Sequence, residues 1–371
     1  MIITKLETFN LDRTVLVRIT TDEGFMGWGE CSPMRPQLIC ENVMTFGESI
    51  LGRNPFDIES IVGDLFLKNY KNAGQSLAIA ISGIDIALWD IMGKALKQPV
   101  YNLLGGCVRK KIPVYASSMR RDITPEEESR RFVTLIEKYG FQAVKTRIGK
   151  LFDINGDESP GRTRKMIQVL RKDLGDSIDI MADANGAYTP AYAIKVGRFL
   201  EDYGVFHYEE PCLSYNLDDT AIVAAALDIP VAGGEQDWNP YTFRQMLEKR
   251  SVDIIQPDII KAGGLLNTKK IANLASVFGV PITLHNAKPN IGTIASLHFA
   301  ASTPMCCFPQ EWSIEPYPLQ GKVITPSPEV VDGHIIVPEG PGLGVEVLES
   351  ILKQATRRFV ALEKGGDISH G

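Results

Sequence analysis

The chain has 371 residues, a formal net charge of -6 and a sequence pI near 5.5, so it is long enough for two domains around a sizeable core and carries no basic field for nucleic acid. Its six cysteines show no paired metal-knuckle spacing, which leaves reduced thiols in a cytoplasmic protein as the expectation. Met1 to Lys5 lacks the basic and apolar regions of a leader, and the most apolar stretch, Ala78 to Met92, is interrupted by Asp85 and Asp90 and is too short for a bilayer, so no membrane partner is expected.

Residues 2 to 10 and 14 to 21 alternate as two strands, and Asp22-Glu23-Gly24 has the chemistry of a turn between strand segments. Gly27 to Pro33 then reads as a loop. From Pro36 to about Leu104 the pattern is helical, with a buried stripe at Ala87 to Met92 and a stop at Gly105-Gly106. Residues 1–111 are therefore expected to form a small α+β domain. A βα rhythm follows, with candidate strands at Ile112 to Ser117, Ala143 to Ile148, Ile178 to Ala184, Val205 to Glu210, Val231 to Gly234, Val252 to Pro257, Ile282 to His285 and Cys306 to Gln310. Eight strands, each with room for a helix, predict a closed (β/α)8-type, modified TIM barrel over residues 112–320 rather than an open doubly wound sheet. No Gly-x-Gly-x-x-Gly follows any of them. Gly333 to Pro338, with the turn Pro341 to Gly344, reads as a strand that leaves the barrel, so residues 321–371 are expected to return to the first domain.

Through the barrel region an apolar run ends in a carboxylate or histidine at Asp183, Glu209, Glu235, Asp258, His285 and Glu311, with gaps of 26, 26, 23, 27 and 26 residues. One strand, loop, helix and return loop consume about that length, so the six groups are expected at the carboxyl mouth where barrel enzymes keep their chemistry. Strand parity places Lys145 and Arg147 on one face and Asp183 and Asn185 on one face. Glu209 and Glu210 point oppositely by the same rule, and only one of them can face the mouth. A single acid in such a place is most simply a helix cap or a solvated loop group. Three inward carboxylates in register repel one another unless a cation intervenes, and an all-oxygen set suits Mg2+.

These residues carry a resemblance. Asp183-Ala184-Asn185, Glu209-Glu210-Pro211 and Gly234-Glu235 resemble the magnesium-ligand motifs of the enolase superfamily. Gln256-Pro257-Asp258 with Ala262-Gly263-Gly264, and then His285, resembles its mandelate racemase subgroup (mandelate racemase/muconate lactonizing enzyme-like). Ser82 to Asp90, Pro99 to Gly106 and Gly342-Leu343-Gly344 extend the match over nearly the whole chain. The resemblance implies an α+β capping domain built from both termini, a (β/α)7β-type barrel, one Mg2+ and a homo-oligomer. It also implies Asp183, Glu209 and Glu235 as the metal ligands, with Glu210 turned away.

The chemistry implied is removal of a proton beside a carboxylate, which requires stabilisation of the enediolate by Mg2+ and by Lys145. Enolase-superfamily sites pair a Lys or His base with magnesium. His285 is the expected base, and Asp258 would accept its other ring N–H and set the tautomer. A lone histidine at a strand end is usually structural; the paired aspartate argues otherwise. The subgroup pattern Lys-x-Lys is replaced here by Lys145-Thr146-Arg147, and an arginine is a poor proton acceptor. A racemase needs bases on two faces, whereas a dehydratase can use one, so the expected activity is dehydration of an acid sugar (aldonate or aldarate) to a 2-keto-3-deoxy acid. Arg147 would then bind the small-molecule carboxylate substrate or support the enediolate; a plain ion pair in the barrel is its structural alternative. Glu311 matches a position that hydrogen-bonds the substrate carboxylate, either protonated or through neighbours. Asn185 is expected to orient a ligand or the substrate, and Trp28, in the loop to Arg35, to close over the substrate's far end. Tyr188 and His207 are weaker candidates for an acid, with His207 more at home below Glu209, and His298, His334 and His370 fall in no motif. The alternatives are a racemase or epimerase of a 2-hydroxy carboxylate, which needs an unrecognised second base, and a non-catalytic ligand-binding relative, which predicts damage to the ligand set or dyad that the sequence does not show.

Overall fold

The structure, a computed structural model, describes residues 1–286, 290–363 and 365–371. The chain opens with an antiparallel meander of β1 (Ile3–Asn10), β2 (Val15–Thr21) and β3 (Met26–Cys31). Most of the segment expected as a loop at Gly27 to Pro33 is thus strand. Its glycines serve packing rather than turning: a Cβ at Gly27 would run into the carbonyl oxygen of Ala87, and one at Gly29 into that of Gly83. Bare backbone at these positions lets the helix Gln75–Leu96 lie against the sheet. That helix has 22 residues, longer than its apolar stretch implied, and is long and apolar enough to cross a membrane, yet 83% of its most apolar window is buried inside the protein.

Six parallel strands follow in spatial order, β4 (Lys111–Ser117), β5 (Ala143–Arg147), β6 (Asp179–Asp183), β7 (His207–Glu209), β8 (Val231–Gly233) and β9 (Ile254–Ile255), and β10 (Gln310–Ser313) pairs back onto β4. Between β9 and β10 runs Ile282 to His285, whose only ladder pairing among the described residues is the Ile255–Ile282 bridge. The Gln310 side chain stands in for a ladder there, accepting from Leu284 N at 2.7 Å and donating to Ile282 O at 3.4 Å. The last stave is displaced from the expected Cys306 to Gln310. Cys306 N–H turns back onto Thr303 O, and Phe308 O is taken by the Gln310 amide at 2.8 Å, so the apolar run Cys306-Cys307-Phe308 finishes the connection from the helix Ile291–Ser302.

Beyond the barrel, β11 (Ile324–Thr325) pairs with β13 (Glu346–Val347), and between them β12 (His334–Ile336) runs antiparallel to β4. This corrects the expectation that Gly333 to Pro338 leaves the barrel: the strand stays on it, and the turn after it makes the crossing. Gly342 O accepts from Val100 N, and Leu343 N donates to Asp90 Oδ1 at 2.8 Å. Finally β14 (Thr356–Leu362) pairs with β1 and β15 (Ile368–His370) with β14, making a five-stranded sheet in which the chain's two ends lie side by side.

The seam between the sheet unit and the barrel explains the Ser82 to Asp90 motif. The barrel helix Gly264–Phe278 starts at Gly263 with no side-chain cap of its own. Asp85 reaches across, its Oδ2 accepting the N–H groups of Leu265 at 2.5 Å and Leu266 at 3.3 Å, while Ser82 Oγ accepts from Gly263 N at 2.9 Å. These satisfy amide donors that a helix start leaves unpaired. Burial outweighs those hydrogen bonds and pushes the Asp85 carboxyl up to about 8. Asp90 accepts from Trp28 N at 2.9 Å and from Lys94 at 2.8 Å.

Candidate active site

Parallel register sets Arg147 beside Asp183 and Asp183 beside Glu209, a row across the ends of β5, β6 and β7. Lys145, one pleat deeper, is fully buried, with its ammonium 2.8 Å from both oxygens of Glu209, 2.8 Å from Glu311 Oε1 and 4.0 Å from Asp183 Oδ2. Burial opposes its charge, but Glu209 and Glu311 outweigh burial and raise its pKa, so it is locked as an ammonium. Glu209 is held down despite burial, chiefly by Lys145, and also accepts from Gln256 at 2.9 Å. Arg147 is ion-paired with Asp183 Oδ2 and donates to Asn185 Oδ1 and Ser118 O, both at 3.1 Å.

The opposite side holds the histidine. His285 Nδ1 lies 2.7 Å from Asp258 Oδ2, and its Nε2 faces the mouth, 2.9 Å from Glu235 Oε2 and 3.7 Å from Glu311 Oε2. Burial would discharge the ring, but Glu235 above all, with Glu311 and Asp258, pushes it up to about 10. Lys261, absent from the sequence-based site, sits here with its ammonium 3.7 Å from Asp258 and 3.8 Å from Glu235. Only its place three residues past Asp258, in the turn that Lys261 N closes onto Asp258 O, could have drawn attention to it.

Several expected positions need correction. Glu210 is not carried away from the mouth: β7 ends at Glu209, and Glu210 takes φ 40°, so parity no longer governs it. It is buried, accepts from Asn185 Nδ2 at 3.3 Å, and is pushed up to about 8 by burial and by Glu235 and Glu209. Asn185, at φ 45°, likewise bends back, donating its N–H to Asp183 Oδ1 at 2.8 Å. Trp28 does not cover the mouth. It is buried in β3 with its ring 5.5 Å from Phe9 and under the Arg18 guanidinium. The sheet unit reaches the mouth instead through Ser32, whose N–H donates to Ile260 O, and Glu30, which accepts from Gly292 N at 2.8 Å. Glu311 lies within β10 and is not protonated: despite burial, Lys145 and His285 lower it to about 2, and it accepts from Ser117 Oγ at 2.7 Å and Asn286 N at 2.8 Å. His207 is buried below Glu209, Tyr188 packs beside Thr163 and Tyr192, and His298 bonds Tyr101 N and Leu343 O. A hollow of about 1050 Å³ lies away from this cluster along β12 and Pro326 to Val331.

Whether these residues suit a divalent cation can be judged from their charge. Among the described residues no three His, Cys, Asp or Glu groups stand at metal-holding spacing, because Lys145, Arg147 and His285 occupy the carboxylates. The donor set nevertheless fits a hard ion. Asp183, Glu209 and Glu235 supply oxygen from neighbouring staves, and the cations present leave two carboxylate oxygens unmet: Glu210 Oε1 and Glu235 Oε2 are buried without an aligned hydrogen bond.

Comparison with known proteins agrees. Residues 2–105 match the mandelate racemase/muconate lactonizing enzyme N-terminal domain, and residues 128–351 match the enolase C-terminal domain-like family. The chain is 36% identical to D-galactarolactone cycloisomerase of Agrobacterium fabrum and 31% identical to arabinonate dehydratase of Saccharolobus solfataricus, each over 92% of this chain and 90% of the relative. A crystal structure of a mandelate racemase/muconate lactonizing protein from Paracoccus denitrificans PD1222, complexed with magnesium, superposes with TM-score 0.90 at 32% identity, covering 96% of this chain and 98% of that one. The chain, an (α+β)-capped parallel barrel with a histidine–aspartate pair facing a row of carboxylates, belongs to the mandelate racemase/muconate lactonizing enzyme family of the enolase superfamily.

Proposed function

We propose that the protein is a Mg2+-dependent dehydratase of acid sugars, converting an aldonate or aldarate to a 2-keto-3-deoxy acid. The observation that carries this is the asymmetry of the mouth: one titratable imidazole, His285 on Asp258 at 2.7 Å, faces two cations, Lys145 and Arg147, that do not accept a proton. Relatives named arabinonate, D-xylonate and D-galactonate dehydratase support the same substrate class.

Asp183, Glu209 and Glu235 would hold Mg2+, which when bound stabilises negative charge developing on the substrate carboxylate. Asp258 accepts a hydrogen bond from Nδ1–H and so holds the tautomer that leaves the Nε2 lone pair of His285 toward the substrate. His285 removes the α-proton, and the C–H electron pair passes into the enediolate, next to the ammonium of Lys145. As that pair returns to form the C2–C3 double bond, the C3–O bond breaks, and His285 gives the same proton to the departing hydroxyl, releasing water. The resulting enol tautomerises to the 2-keto acid. Engaging Glu235 elsewhere removes the main cause of the raised His285 pKa and returns the ring toward its basic, neutral form.

An epimerase would need a second proton acceptor opposite His285, and Lys145 is held as ammonium by two carboxylates. The test is a screen of the Mg2+-loaded protein against a library of acid sugars, following 2-keto acid. EDTA should abolish turnover and Mg2+ restore it, and Glu235→Gln should weaken Mg2+ binding by calorimetry. Rapid appearance of an epimer in D2O would refute dehydration as the reaction.

A further inference from the structure

The cations of the mouth differ in how far they are neutralised. Lys145, the deepest, has Glu209 and Glu311, and Arg147 above it has Asp183. Arg121 lies four residues past the end of β4, on the same side as Arg147, and no described carboxylate approaches it within ion-pair distance. Its contacts are neutral: one terminal nitrogen donates to Asn185 Oδ1 at 2.9 Å and to Ile148 O at 3.4 Å, while its Nε is buried and makes no hydrogen bond. Arg147 donates to the same Asn185 oxygen at 3.1 Å, so two guanidinium groups share a single amide oxygen. Arg162 adds a third positive group nearby, its donors committed to the carbonyls of Arg147 and Ile123. Arg147 keeps Asp183, but Arg121 has Glu158 only beyond ion-pair distance, and a half-buried cation beside two others is costly unless a ligand supplies a contacting anion.

We infer that Arg121, with Arg147 beside it, receives a second carboxylate at the far end of the substrate, so that the acid sugar is an aldarate rather than an aldonate; the inference rests on the dehydratase reading for the near end of the molecule. A sugar hydroxyl would leave the Arg121 guanidinium with no contacting anion. A carboxylate supplies both the charge and the two coplanar acceptors that a guanidinium fork fits. Occupation of Asp183, Glu209 and Glu235 by Mg2+ would cancel the acid excess deeper in the mouth and leave the arginine side as its anion-seeking wall.

The test uses the full chain with Mg2+ and matched pairs, galactarate against galactonate and glucarate against gluconate. At least one hexarate should exceed its hexonate by on the order of 10² in kcat/KM, the effect of one desolvated charged contact. Arg121→Met should bring that ratio below about tenfold, mainly through KM, and Arg121→Lys should keep part of it. Calorimetric binding of the same pairs to His285→Asn protein gives the preference without turnover. Hexonates bound or turned over as well as hexarates, no hexarate binding at all, or a preference surviving Arg121→Met would overturn the inference. Should Arg121→Met fail to fold, the wild-type ratio decides alone. Preference for 6-phosphogluconate over glucarate would overturn the carboxylate assignment. Absence of 2-keto acid from every sugar would sink the dehydratase reading, and the binding preference would still decide whether Arg121 selects the diacid.

Discussion

Replacing Asp258 by asparagine tests the dyad at its most sensitive point. Asp258 has both oxygens engaged: Oδ1 accepts from Ile260 N at 2.9 Å, and Oδ2 lies 2.7 Å from His285 Nδ1. An asparagine keeps one acceptor, and the Ile260 amide claims it, because turning the side chain over would set its NH2 against that N–H. The NH2 group then meets His285, donates to Nδ1 and drives the ring proton to Nε2, the atom that must accept the α-proton. The variant loses the negative partner and also takes the wrong tautomer, so the loss in kcat should lie near the upper end of the range for positioned general-base catalysis, on the order of 10⁴. KM should change little, since Asp258 does not contact the substrate in the proposed arrangement. The assay is exchange of the substrate α-proton in D2O, read by proton NMR, alongside steady-state turnover. Exchange within about tenfold of wild type would mean that His285 is not the base or that Asp258 does not set its tautomer.

Three further outcomes follow from the same geometry. His285→Asn should abolish α-proton exchange while thermal unfolding and Mg2+ binding persist; exchange that survives would move the base elsewhere. The Asp85 carboxyl, raised from about 4 to about 8 by burial, contributes stability that is complete below its unfolded pKa and lost as pH rises through about 8. Asp85→Asn keeps an acceptor for Leu265 N without titrating, so its Tm relative to wild type should rise by a few degrees between about pH 5 and about pH 9, and a pH-independent difference would refute the assignment. Gly27→Ala should destabilise by about 1–3 kcal/mol or prevent folding, measured by urea unfolding, because its methyl group meets the Ala87 carbonyl.

The barrel was legible because its signal is periodic: polar groups at regular spacing behind apolar runs mark strand ends wherever helices separate them. The mouth residues at Lys145, Arg147, Asp183, Glu209, Glu235, Asp258, His285 and Glu311 do gather in one cluster. What failed were inferences that depend on local backbone. Parity misplaced Glu210, since a residue at positive φ has left the strand whose alternation the rule assumes. Glycine misled at Gly27 and Gly29 because the same residue serves a turn and a close helix approach, and only the partner surface tells them apart. Trp28 went with that error, and the Cys306-Cys307-Phe308 run resembled a strand only through its apolarity. Lys261 and Arg121 carry no motif, and their interest lies in the charges around them.

The reach of Asp85 and Ser82 into the barrel also bears on how such a chain can be divided or recombined. A barrel cut out at residues 112–320 would lose the acceptors for the first amides of its helix Gly264–Phe278, and the remaining sheet unit would lose the Leu265 and Leu266 amides that Asp85 accepts. Each piece would carry an unmet polar demand that the other was shaped to satisfy, so the two should melt in one transition. A chimera that exchanges the first hundred residues with a relative should stay folded only if an acceptor arrives at position 85 and glycine remains at position 264, whose missing side chain makes room for it. Recombination along this seam thus has a two-residue compatibility rule, independent of whatever the mouth of the barrel binds.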